Sequence, residues 1–374
     1  MAKAGKQGAW VDVAVKHLVT LMDIPSATMR VEDMADHVVA HAKKCGFKDV
    51  ARDVDDTLRI TVAGKDTKRV VGYGAHLDRI GLMVDELCDD GSVKISSIGG
   101  LYPGHVMEGN TASIMVKAKN GKVTMIEGVI AHVEKPIHKM PTLDAFTKRE
   151  QKWEKIRLLP DACIAATKKN GKQMLKDLGV RVGQLVMLPT QLKVDYKART
   201  LRSRWLDNML GCAVLMTLMD RWSKEKTKPA YTIDLIFSVA EEAGMGGTAV
   251  IRPEMTDFVA VDTSCGEDGE DISNFMIKQK AGRLPYSARL VEELEMAAHA
   301  VGAGFEPRVM SGGGTDAEQA RGAGFKGRIA CVAVPIYGLH SIEQGTFAAV
   351  EGMLDTLHAH ACGQMADAPK GKKK

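Results

Sequence analysis

Three apolar runs of strand length constrain this chain most: TIDLIFSV at residues 232–239, FVAV at 258–261 and IACVAV at 329–334. Each is too short for a typical helix and too continuously apolar for a strand with one wet face, so each reads as a strand buried on both sides. Helical spacing fills the gaps, at 210–222, 286–301 and 346–361. Near the start, 11–22 and 31–45 carry apolar residues at helical spacing, and 58–62 and 70–73 read as short strands, the second ended by Gly74. Strands alternating with helices predict an α/β fold, a mostly parallel sheet with helices on both faces. The middle reads differently. Residues 112–118 and 122–133 flank an Asn120-Gly121 turn as a hairpin, with further short strands at 181–187 and 191–194 and one helix at 168–178. A small β-rich domain over 85–194 is therefore expected within a larger α/β domain made of 1–84 and 195–374.

Polar residues gather where those strands end. His76 and Asp78 follow the strand at 70–73, Glu241 and Glu242 follow TIDLIFSV, and Asp262 ends FVAV. His340 lies in the loop after IACVAV, and Asp207 precedes the helix at 210–222. Ligands bind open α/β sheets beyond the carboxyl ends of their strands. Taken singly, each residue has a plainer role: a core histidine, a helix cap, a surface glutamate pair, a turn aspartate. Taken together they place more charge in one spot than burial tolerates unpaired, and divalent cations would relieve it. The run Gly312-Gly313-Gly314-Thr315-Asp316 lacks the Lys of a phosphate loop and reads as a tight turn entering a helix at 316–321.

The remaining composition excludes partners more than it names them. Basic residues number 51 and acidic 47, and much of the excess is terminal, in Lys3, Lys6, Lys370, Lys372, Lys373 and Lys374. That leaves a nearly neutral body and no footprint for nucleic acid. Seven scattered cysteines (45, 88, 163, 212, 265, 331 and 362) without a CxxC pair read as reduced thiols. With no signal-peptide pattern and no membrane-length apolar run, the expectation is a soluble cytoplasmic protein.

Six motifs in order resemble peptidase family M42, the glutamyl or tetrahedral aminopeptidases: AHLDRIGLMV from Ala75, WLDNMLGCAV from Trp205, FSVAEEAGMGG from Phe237, AVDTS from Ala260, SGGGTDAEQA from Ser311 and VPIYGLHS from Val334. The stretch 161–186 resembles that family's inserted domain. The resemblance implies a metalloaminopeptidase with two divalent ions, Zn2+ or Co2+ and alternatively Mn2+. It makes Asp207 the bridging ligand, His76 and Asp262 the partners of one ion, and Glu242 and His340 those of the other. It makes Glu241 the general base, which takes a proton from water and returns it to the leaving amine. Asp78 is expected to accept a hydrogen bond from His76. The resemblance also implies peptide substrates, insert-mediated dimers and a homododecamer. Arg79, Met209 and Gly246 depart from the family pattern at positions that are not ligands. Two other readings are a two-metal hydrolase of N-acyl or glycosidic bonds and an inactive assembly protein.

Overall fold

The computed structural model describes residues 8–106, 108–118, 120–133, 152–246, 251–267 and 269–367. The terminal lysines named above, and Gly247 of the glutamate motif, lie outside the described residues. The chain forms two compact units: Met1–Arg79 with Gln191–Lys374, and Ile80–Thr190.

In the larger unit, four strands run parallel in the order Tyr231–Ser238, Asp66–His76, Asp257–Cys265, Arg328–Ile336. Antiparallel strands flank them: Leu58–Val62 with Val50–Arg52 on one side, Phe275–Ala281 with Leu284–Pro285 on the other. Phe305–Val309 adds a parallel partner to Phe275–Ala281. Every residue of Tyr231–Ser238 is buried, as the unbroken apolar run required. The helices Gly8–Asp23, Glu32–Lys44, Leu206–Glu225, Ala288–Val301 and Phe347–Ala361 supply the apolar faces that close this core. No helix among the described residues is long and apolar enough to cross a membrane.

The smaller unit is a closed barrel of antiparallel strands, in the order Gly81–Leu87, Val93–Ile98, Ile156–Pro160, Val123–His132, Thr111–Lys117, Leu185–Met187. Closure removes the unpaired edges that a small sheet would otherwise expose. The unit boundaries differ from the sequence reading at both ends, and pairing explains why. Gly81–Leu87 bonds to Val93–Ile98 and Leu185–Met187 and so belongs to the barrel. Lys193–Asp195 bonds to Thr200–Ser203, which pairs with Glu343–Thr346 in the larger unit. Residues 181–184 form a turn, and only Leu185–Met187 of that stretch is a strand.

Gly74 does not end its strand, which runs on to His76. Instead it makes room for a ring. A β-carbon at Gly74 would lie 2.5 Å from Phe258 Cζ, and one at Gly72 2.8 Å from Met255 Sδ. Phe258 fills the space that two missing side chains leave on the neighbouring strand. Overpacking of this kind costs about 1–3 kcal/mol. Gly74→Ala is accordingly expected to lower the free energy of unfolding by about 1–3 kcal/mol, read as a lower denaturation midpoint, and an unchanged midpoint would show that Phe258 moves aside freely.

Candidate metal centre

The sheet brings the strand-end residues together in the larger unit. His76 is the last residue of its strand and pairs in register with Ser238, three residues before Glu241. Asp262 lies on the adjacent parallel strand, Asp257–Cys265. Asp207 occupies the first turn of Leu206–Glu225, where Asp207 (φ −78°, ψ 111°) and Asn208 (φ −113°, ψ 37°) depart from helical geometry. Asn208 anchors that departure: its Nδ2 donates to the Val261 carbonyl at 2.8 Å, and its Oδ1 accepts from Gly211 N at 3.0 Å. His340 adopts a left-handed backbone, φ 65°, unusual for a residue with a β-carbon. Glu343 holds it there, its Oε1 accepting from His340 N at 2.9 Å.

Two groups of potential ligands result, each with its ligand atoms within 4.8 Å of one another: His76, Asp207 and Asp262, and Asp207, Glu242 and His340. Asp207 belongs to both. Its Oδ1 lies 3.1 Å from His76 Nε2, and its Oδ2 3.6 Å from His340 Nε2. Asp262 Oδ1 stands 3.7 Å from His76 Nε2, and Glu242 Oε2 3.7 Å from His340 Nε2.

The charge state of the cluster is consistent with cation binding. Burial drives the Glu241 and Glu242 carboxyls well above the usual range, and neighbouring carboxylates push the same way. Burial alone would lower His76, but its contacts with Asp207 and Asp262 hold it well above an ordinary imidazole. Burial opposes ionisation of Asp207 too, yet the two histidines pull it below the carboxylate range. Without a cation, the His76 proton supplies positive charge to the acids around it, and a bound ion would displace that proton. Glu242 Oε1 is buried without a hydrogen-bond partner. An orphaned carboxylate oxygen beside imidazole and further carboxylates is a donor set that fits Zn2+, Co2+ or Mn2+.

Asp78 differs from its expected contact. His76 Nδ1 lies 2.9 Å from the Asp78 backbone carbonyl, whereas the Asp78 carboxylate is 3.6 Å away. Its two carboxylate oxygens are engaged elsewhere, by Thr28 Oγ1 at 2.8 Å, Glu241 N at 3.2 Å and Glu242 N at 3.3 Å. The main chain thus orients the imidazole, and the carboxylate holds the turn that bears both glutamates.

Sequence reasoning passed over Glu343 and Gln319. Glu343 is buried and spans two ligand segments, accepting from Asp207 N at 3.1 Å as well as from His340 N. Burial and the nearby Asp207 charge raise its carboxyl to about 8. Gln319 donates from Nε2 to Glu241 Oε1 at 2.8 Å and to the Glu241 carbonyl at 3.0 Å, while its Oε1 accepts from Gly246 N. Neither stands at the end of a buried strand, which was the available signal. Asp316, in the glycine-rich motif, is buried with Oδ2 accepting from Ser238 Oγ at 2.8 Å, and burial lifts it to about 7. A β-carbon at Gly246 would fall 1.9 Å from Asp316 Oδ1, so glycine fits this loop as it stands. Arg79 is buried as well, donating to the Leu21 carbonyl at 2.6 Å, with its guanidinium 5.6 Å from the Trp205 ring centre.

Residues 57–355 match the family model described as M42 glutamyl aminopeptidase. YhfE of Bacillus subtilis (strain 168) is 28% identical over 273 residues, covering 72% of this chain and 75% of that protein. The glutamyl aminopeptidase of Lactococcus lactis subsp. cremoris is 23% identical over 231 residues, covering 60% of this chain and 57% of that one. The TET1 peptidase of Pyrococcus horikoshii, which can assemble into a tetrahedron or a large octahedral shell, superposes with a TM-score of 0.77 at 20% identity, covering 93% of this chain and 99% of its own. Histidines and carboxylates that could hold metal ions, gathered at the end of a parallel sheet, and a family match over most of the length converge: the chain belongs to the M42 glutamyl aminopeptidase family and is a hydrolase of the aminopeptidase class.

Proposed function

We propose that this aminopeptidase is metal-dependent and removes single N-terminal residues from short peptides, with Glu241 as the proton carrier. His76, Asp207 and Asp262 would hold one divalent ion, and Asp207, Glu242 and His340 a second. The observation that carries this reading is the sharing of Asp207 between two ligand groups, with Glu241 Oε2 3.8 Å from His76 Nε2. Bound cations would supply Lewis acidity, making water easier to deprotonate and favouring negative charge on the attacked carbonyl oxygen.

The chain's own residues set up the proton transfer. Gln319 occupies Oε1 of Glu241, so Oε2 is the atom left to take the proton from water. Burial raises the proton affinity of that carboxylate, matching a base that must later give the proton to the leaving amine. Asp78 fixes the backbone of Glu241 and Glu242, and Glu343 fixes that of Asp207 and His340. Such bracing matters because small misplacement of a catalytic group is costly in rate.

The Pyrococcus horikoshii TET1 peptidase can assemble into a tetrahedron or a large octahedral shell, and by analogy this chain would self-associate; on the family resemblance, the barrel unit would pair subunits and the pairs would form a homododecamer in the cytoplasm. Sedimentation should then give a particle of about twelve chains, and deleting the barrel unit, Ile80–Thr190, should give smaller, poorly active species. A full-length protein that sediments as a monomer would end this reading.

Two variants test the site. Glu241→Gln should lower kcat on aminoacyl anilides by about 10²–10⁴-fold while metal content stays at the wild-type value; near-normal turnover would remove Glu241 from the role of base. Asp207→Ala should lose at least one ion per chain, and full occupancy in that variant would refute the shared ligand. In the wild type, a chelator should abolish activity and added Zn2+ or Co2+ restore it.

A further inference from the structure

A second group of metal-ligating side chains lies among three helices of the larger unit, remote from the centre described above. His17 comes from Gly8–Asp23, His41 from Glu32–Lys44, and Asp220 from Leu206–Glu225; Cys45 caps the second helix. Asp220 and Asp207 share a helix thirteen residues apart, which separates them by roughly 20 Å along its axis. His17, His41 and Asp220 each offer a ligand atom within 4.8 Å of the others.

We propose that His17, His41, Cys45 and Asp220 form a structural zinc site that fastens the two N-terminal helices to Leu206–Glu225. The geometry is close to what the ion needs. Zn–N and Zn–O bonds of about 2.0–2.1 Å and a Zn–S bond of about 2.3 Å place tetrahedral ligands about 3.3–3.6 Å apart. His41 Nε2 is 3.5 Å from Asp220 Oδ2 and 3.5 Å from Cys45 Sγ, and Cys45 Sγ is 3.7 Å from Asp220 Oδ1. Two ligands must adjust: His17 Nε2, at 2.7 Å from Asp220 Oδ2, has to draw back by roughly 0.6–0.9 Å, and Cys45 Sγ, which faces Asp220 Oδ1 and stands outside the group of three whose ligand atoms lie within 4.8 Å of one another, has to swing toward it.

The two imidazoles suit an ion as they stand, whereas burial and the neighbouring Asp220 raise the Cys45 thiol to about 11, so the metal has to displace a firmly held proton there. Burial keeps both imidazoles neutral more readily than in water, the form that ligates a metal. The His41 bond to the Met216 carbonyl is long, 3.4 Å, and so gives little competition for Nε2. Side-chain exposures of 15% for His17, 10% for His41 and 17% for Asp220 leave an ion a route from solvent without leaving the ligands loose. Coordination by Cys45 replaces the thiol proton with the metal and releases that proton to water. One imidazole pair, one thiolate and one carboxylate give a closed tetrahedron with no open position, the hallmark of a structural rather than a catalytic ion.

Cobalt distinguishes this site from the catalytic one, whose ligands contain no sulfur. Protein stripped with chelator and reloaded with Co2+ should show thiolate-to-cobalt charge-transfer absorption in the near ultraviolet. In Cys45→Ser that absorption should vanish, bound metal should fall by one ion per chain relative to wild type, and aminopeptidase kcat should be retained. His41→Ala should likewise hold one ion fewer than wild type and melt at a lower temperature in Zn2+. Absence of the absorption in Co2+-loaded wild type would overturn the proposal, as would its persistence in Cys45→Ser. Because the readout is a difference of one ion and a sulfur-specific band, it stands apart from whether the catalytic centre holds its metals.

Discussion

Like charges crowded out of water dominate this molecule. Asp78, Asp207, Glu241, Glu242, Asp262, Asp316 and Glu343 all converge near one edge of the sheet, largely buried. Ionised carboxylates repel strongly in such a setting, and burial shifts them toward the neutral acid unless positive charge is supplied. His76 supplies part of it. Lys278, buried on Phe275–Ala281, adds a cation whose proton is held by the surrounding acids against the cost of burial. The parallel strands make this crowding unavoidable, because they deliver successive side chains to the same end of the sheet.

What keeps the cluster ordered is mostly main chain. Asp78 accepts the N–H groups of Glu241 and Glu242, Glu343 those of Asp207 and His340, and the Asp78 carbonyl faces His76. Side chains that bond to backbone rather than to each other fix the loops without consuming the oxygen atoms that face the centre. Gln319 extends this pattern by tying Glu241 and Gly246 to the helix Asp316–Gly322. The loops are thus set by partners from distant parts of the sequence, and the left-handed backbone at His340 is tolerated because Glu343 holds it.

The sheet was legible because burial on both faces leaves an unmistakable apolar run, as in TIDLIFSV. The charged residues following such runs were legible for the same reason. Less so were strands whose pattern is mixed, such as Phe275–Ala281, where Lys278 and Lys280 interrupt the apolar residues. Gly74 misled because its absent side chain serves Phe258 on another strand, a fact no local pattern contains. Glu343 and Gln319 were invisible for a related reason: each has a partner far along the chain, Asp207 at 136 positions from Glu343 and Glu241 at 78 from Gln319. The family resemblance directs the Asp78 carboxylate to His76, whereas in space Thr28 and the backbone of the glutamate turn compete for it.

The donors at positions 76, 207, 242, 262 and 340 are scattered along the chain, with the whole barrel unit lying between the first two. A polypeptide extended from its N-terminus holds only fragments of this constellation until residue 340 has been added. A truncated product ending before the loop at 340 also lacks Glu343, which bonds the backbone of both Asp207 and His340. The two ligand groups are therefore a property of the folded larger unit and of no contiguous segment within it.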